Sequence, residues 1–174
     1  MLATPVSAQD HVQGSRNASV TLVEYGDYQC PYCADAEPAL ARLRERFGDD
    51  LRFVYRNFPL GELHPYAWAA ADLAEAAAGA GRFWEMHDWL FAQQDAWVPL
   101  GPEGLAEGAS AVGLDAFALA EAVQDPAIGQ RVEADIESGR RSGVRGTPSF
   151  YVDGEPVDGG VDALAERIAS ALRH

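Results

Sequence analysis

The apolar positions follow two periods, and the segments they mark divide the chain into two halves and a middle. Residues 1–17 are polar, broken by Pro5 and Gly14, and read as an N-terminal arm. Val20-Thr21-Leu22-Val23-Glu24-Tyr25 is β-rich and almost wholly apolar, the pattern of a strand buried on both faces in the middle of a sheet. Glu24 is its one ionisable member. A helix is predicted from Pro31 to about Phe47, with Leu40, Leu43 and Phe47 on one face, Gly48 as its stop and Pro38 as a kink inside it. Leu51 to Arg56 is a second strand, completing a β-α-β unit. Strand character returns only at Ser149 to Val152. There Asp153-Gly154 is a hairpin turn, Pro156 suits an edge strand, and a last helix runs from Val161 to about Leu172.

Between these halves every segment has a helical period. Pro65 to Ala78 is Ala-rich, and Phe83, Trp84, His87, Leu90 and Phe91 fall on one stripe. Two short helices follow near Leu105–Val112 and Asp115–Gln124, the second capped by Asp115, and a longer one runs from Pro126 to about Ser142. The organisation predicted is α/β: an arm at 1–17, a domain formed by 18–60 and 144–174, and a helical insertion at 61–143. The insertion is expected to bring no chemistry of its own. His87 reads as a satisfied core histidine, and His64, before Pro65, as a helix-start residue.

Composition narrows the classes. At 174 residues, 48% of them apolar, the chain can bury one sizeable core. The net charge of −14, spread without blocks of one sign, argues against nucleic acid or an anionic membrane surface as partner. No apolar run approaches the ~18 residues a membrane helix needs. Met1 to Asp10 lack the basic and apolar regions of a leader peptide, so a cytoplasmic monomer is expected, with an exported mature domain as the alternative.

Cys30-Pro31-Tyr32-Cys33 holds the only two cysteines, and it stands where the first strand gives way to a helix. Zinc wants four ligands, and His11, His64, His87 and His174 contain no closely spaced pair to complete a site, so no metal and no other cofactor is expected. A crosslink over so short a loop removes little unfolded-chain entropy, which leaves a redox pair as the reading. If Cys30 caps the helix that Pro31 opens, its sulfur faces unpaired N–H groups and the positive end of the dipole, and becomes the reactive, solvent-reachable thiolate. Cys33, one turn in, is then the buried resolving thiol. Glu24, buried close to both, is expected to have a raised pKa and to exchange a proton with Cys33.

Gly-Asp-Tyr-Gln-Cys-Pro-Tyr-Cys at residues 26–33 and Gly-Val-Arg-Gly-Thr-Pro-Ser-Phe at 143–150 resemble the thioredoxin superfamily, and the insertion between them resembles its DsbA-like branch. The resemblance spans the whole chain. It implies a thioredoxin-like fold and a thiol-disulfide oxidoreductase acting on protein or peptide thiols and disulfides, with a separate redox partner to recycle it. Cys30 would be the nucleophile and Cys33 the resolving thiol. Pro31, Tyr32, Thr147 and a cis Pro148 would contact substrate, the Thr147 backbone pairing with an extended polypeptide. Cys-Pro-Tyr-Cys is also the glutaredoxin tetrapeptide, and Gly159-Gly160-Val161-Asp162 resembles that family's glutathione site, so a glutathione-linked reductase stands as the alternative. A redox-sensing or client-binding module without turnover is a third reading. Strongly oxidising periplasmic members carry Pro-His between the cysteines where this chain has Pro-Tyr. Asp27, Asp35 and Glu37 are expected to raise the Cys30 pKa further.

Overall fold

The computed structural model describes residues 1–173, so His174 lies outside the described residues. Strand β1 (His11–Gln13) is followed by β2 (Val20–Gly26), helix α1 (Pro31–Phe47) and β3 (Leu51–Asn57). The helical middle comprises α2 (Ala67–Gly79), α3 (Phe83–Ala92), α4 (Gln94–Trp97), α5 (Pro102–Ala111), α6 (Ala116–Ala122) and α7 (Pro126–Ser142). The hairpin β4 (Ser149–Val152) and β5 (Glu155–Pro156) and helix α8 (Gly160–Ala171) complete the chain. The five strands form one sheet in the order β1-β3-β2-β4-β5. β2 and β3 run parallel from Val20 opposite Leu51 to Gly26 opposite Asn57, and β4 lies antiparallel on the other side of β2. The arm departs from its sequence reading by supplying β1, which covers the exposed edge of β3 in antiparallel register. Its three half-buried residues carry too little apolar patterning to announce a strand.

Central strands alternate faces, and here each face has its own core. Val20, Leu22, Phe53 and Tyr55 point to the face covered by α1, α3 and α8, where Leu40, Leu90, Leu164 and Ile168 are buried. Val23, Tyr25 and Val54 point to the other, against Val132 and Ile136 of α7. The hairpin is tightened by positive φ at Asp153 and Gly154, as an Asp-Gly turn requires. Asp115 and Asp125 cap α6 and α7 by accepting from backbone N–H groups.

The β2 end carries the geometric point that matters for the site. A Cβ on Gly26 would lie 2.5 Å from the Tyr55 ring, so only glycine lets the chain turn there under that ring. The next residues then lead directly into α1.

Candidate active site

Cys30 is the N-cap of α1, in extended conformation, with Pro31 as the first helical residue. Both cysteines are free thiols. Cys33 is fully buried, and Cys30 is only 3% exposed, more enclosed than the expected solvent-reachable thiol. The chain before Thr147-Pro148 folds over it: the Cys30 thiol donates to the Thr147 carbonyl at 3.4 Å. That peptide bond is cis. Tyr25 pairs with Ser149, so Pro148 stands at the same end of the sheet as the cysteines. Tyr32 is 71% exposed beside them, and Pro31 is exposed as well.

The two sulfurs are driven apart in acidity. The Cys30 pKa falls to about 5, chiefly because the Cys33 side chain donates to its sulfur. The backbone N–H groups of Cys33 and Tyr32 add to this, and together they outweigh burial. This corrects the expectation that nearby acids raise it. Asp27 is turned away from the sulfur: its carboxylate accepts from the N–H of Gln29 and of Leu60 and pairs with His64 at 2.7 Å. Cys33 is pushed up, first by burial, then by its hydrogen bond to Cys30 and by the negative charge of Glu24.

Glu24 is fully buried, and among the described residues neither carboxylate oxygen has a hydrogen-bond partner. Its strand does not fray, being paired on both sides. Burial raises the Glu24 pKa well above the ordinary value, Glu37 raises it further, and Arg44 opposes. Glu37 takes the opposite course: burial alone would raise it, but His87 and Arg44 hold it down. Those two partners lie 3.5 Å and 3.6 Å from it.

Sequence reasoning missed the insertion's part in this. His87 is fully buried, accepting or donating at Nδ1 with the Tyr28 hydroxyl at 3.2 Å, but its Nε2 has no hydrogen-bond partner among the described residues. It is thus not the satisfied core histidine its apolar stripe suggests. His64 holds Asp27, and Gln94 reaches the carbonyls of Tyr28 and Cys30. His64 lies in the turns before α2, which starts at Ala67, and is not the helix-start residue its place before Pro65 suggests. Neither its position nor those of His87 and Gln94 on their helices carry a signal that distinguishes them from core or surface residues, because the contacts join segments far apart in the chain. Asp162 lies in the first turn of α8 behind Gly159, and among the described residues no hydrogen bond or ion pair joins it to the cysteines.

The thioredoxin family profile matches residues 7–169. A thioredoxin-like oxidoreductase from Silicibacter pomeroyi superposes with a TM-score of 0.84 at 27% identity, covering 97% of this chain and 95% of that one. Oxidised BdbD from Bacillus subtilis gives 0.80 at 25% identity, covering 95% and 94%. Among curated relatives, a Na(+)/H(+) antiporter NhaA 1 of Salinispora arenicola is 43% identical over 98% of this chain, which spans only 26% of that protein. An antiporter NhaA of Herminiimonas arsenicoxydans is 42% identical over 94% of the chain and matches 25% of its own length. The fold is that of the DsbA-type thiol-disulfide oxidoreductases, and with the family profile covering nearly its whole length the chain belongs to the thioredoxin family.

Proposed function

We propose that this chain exchanges disulfides with protein or peptide substrates through Cys30-Pro31-Tyr32-Cys33. The observation that carries the reading is the placement of Cys30 as the N-cap of α1, its sulfur against the Thr147 carbonyl beside cis Pro148, with Cys33 wholly buried one turn in. In that setting the Cys30 pKa is lowered and that of Cys33 raised. In the reductive direction the Cys30 thiolate attacks one sulfur of a substrate disulfide, forming a mixed disulfide and expelling the other sulfur as a thiolate. Cys33 passes its proton to Glu24 and attacks the Cys30 sulfur, which releases the second substrate thiolate and closes the Cys30–Cys33 disulfide. The oxidative direction reverses these steps and returns the proton from Glu24. A second dithiol or disulfide protein must then restore the starting state. Thr147, whose carbonyl already meets Cys30, offers backbone to an extended substrate as an added strand. Exposed Tyr32 and Pro31 form the adjoining rim.

The test is catalytic oxidation of a dithiol peptide, or reduction of insulin, in glutathione buffer. Turnover is expected for the unaltered chain, its loss in Cys30→Ser, and accumulation of mixed disulfides on Cys30 in Cys33→Ser. Substoichiometric alkylation of the reduced protein should label Cys30; label mainly on Cys33 would reverse the roles.

The antiporter relatives favour a second reading in which the same chemistry acts once on the cysteines of a membrane transporter. A single stoichiometric exchange without turnover on any dithiol would support it over the enzyme.

A further inference from the structure

The turn Asp27-Tyr28-Gln29-Cys30 is bonded residue by residue to the segment from Leu60 to Gln94. Asp27 is held by the Leu60 N–H and His64, the Tyr28 hydroxyl by His87, and the Gln29 side-chain oxygen by the Tyr66 N–H at 2.7 Å. Gln94, at the start of α4, is the only side chain among these that reaches Cys30. Its Nε2 donates to the Tyr28 carbonyl at 2.8 Å and to the Cys30 carbonyl at 3.0 Å.

We propose that Gln94 is a positioning residue for the nucleophile: its side-chain amide clamps the carbonyls on either side of Gln29 and so fixes the Cys30 sulfur against the first N–H groups of α1. The inference rests on Cys30 acting as the thiolate.

One nitrogen with two N–H bonds supplies both contacts, so residues 28 and 30 cannot move apart while it is in place. The Cys30 carbonyl also receives the N–H groups of Cys33 and Ala34, at 3.2 Å and 3.3 Å. Rotation of the Cys30 backbone would swing that carbonyl away from Gln94 and would turn the sulfur away from the same helix start. Gln94 is buried, so water does not readily replace it, and the clamp acts where the dielectric is low. The insertion therefore contributes more than a cover over the sheet. It reaches the peptide units that decide how well a negative sulfur is solvated, by a contact no charge or metal ligand would reveal.

The experiment is a titration of the reduced protein, following ultraviolet thiolate absorbance, for the unaltered chain and Gln94→Leu. Leucine keeps the volume and removes the donor. The Cys30 midpoint should rise from about 5 to about 6 in the variant. Equilibration with glutathione at pH 7 should then shift about tenfold toward the protein disulfide, since the reduced form loses thiolate stabilisation. If Gln94→Leu does not fold, Gln94→Ala serves, with a smaller rise in the same direction because water can enter. A variant that melts earlier but titrates at the unaltered midpoint would show Gln94 to be structural only and overturn the inference. The midpoint of the unaltered chain is a separate readout: a value near that of an ordinary cysteine would sink the thiolate reading itself, whatever the variant does.

Discussion

Two buried polar clusters flank the same pair of strands, one on each face of the sheet, and they are built in opposite ways. On the α7 face, every nitrogen of the Arg56 guanidinium has a partner: Asp10 at 2.8 Å and 3.1 Å, Tyr25 and Ser138 at 3.0 Å, and the Thr4 and Pro5 carbonyls. The Tyr25 and Ser138 hydroxyls close on each other at 2.6 Å. Saturation is a property of the Arg56 group: beside it Asn57 donates to Glu75 and Asp135 while its own Oδ1 has no partner among the described residues, Glu75 meets His11, and Asp135 pairs with Arg131. On the α1 face, among the described residues, neither carboxylate oxygen of Glu24 has a hydrogen-bond partner, and Glu37 Oε1 and His87 Nε2 are 3.5 Å apart without forming a hydrogen bond. A saturated network holds its protons and charges in one arrangement, while an unsaturated one leaves room for a proton to move. The face with the open network is the face that holds the thiols.

The largest effect should come from breaking the saturated side. Arg56→Met strands the Asp10 carboxylate in the core and releases the Thr4 and Pro5 carbonyls of the arm that Arg56 anchors. Breaking a buried pair of this kind costs about 3–5 kcal/mol, which lowers Tm by roughly 10 °C in a chain of this size. Because the network lies across the sheet from the sulfurs, the Cys30 midpoint should stay at about 5. Melting and thiolate titration of the same sample check both halves, and a moved midpoint would show that the two clusters are coupled through β2.

Glu24→Gln should act in the reverse sense, raising stability while slowing chemistry. The folded pKa of Glu24 lies above its ordinary value, so its protonated form is favoured by folding. The stability it gives is complete below the ordinary glutamate range and is lost as pH climbs through the raised value. The variant has no such loss, so its Tm advantage should be small near pH 5 and grow toward pH 8, reaching about 3 °C. Dithiol oxidation near neutral pH should slow by about 10²-fold, the scale of one proton-transfer group. Parallel melts and rates from pH 5 to 9 decide it. A less stable variant, or unchanged rates, would assign Cys33 another proton acceptor.

Much of this contrast is legible in the sequence. The central strands β2, β3 and β4, the α1 boundaries, the Asp-Gly hairpin and the Asp115 cap follow from local periodicity and turn chemistry, because each is decided by residues within a few positions, whereas β1 in the polar arm does not. Cys30, Cys33, Thr147-Pro148 and the anomaly of Glu24 were legible for the same reason: each interrupts or ends a local pattern. Arg56 was not. It continues an apolar strand as Glu24 does, and nothing local distinguishes the charge that finds Asp10 and Tyr25 from the one that finds nothing. Gln94, His64 and His87 were hidden likewise, since their partners lie in the turn before Cys30. Charge counted along the sequence gives the wrong direction for the Cys30 shift, because Asp27 commits its carboxylate to Gln29, Leu60 and His64.

The finest test of the open cluster is Glu37→Gln, which keeps shape and removes one charge. Glu37 is held ionised by His87 and Arg44 against the pull of burial, and its negative charge is one reason Glu24 is raised. Removing it should lower the Glu24 pKa, so the pH at which Glu24 gives up its proton falls. The sloping limb of the exchange rate against pH should then move to lower pH, with the rate at a fixed pH on that limb changing about threefold, as expected for one charge partly screened by Arg44. Stability should change little, because the amide can still reach Arg44 and His87. In the Glu24→Gln background the same substitution should leave the pH profile where it is. A shift that persists there would mean that Glu37 acts on Cys33 directly, and that Glu24 is not the group between them.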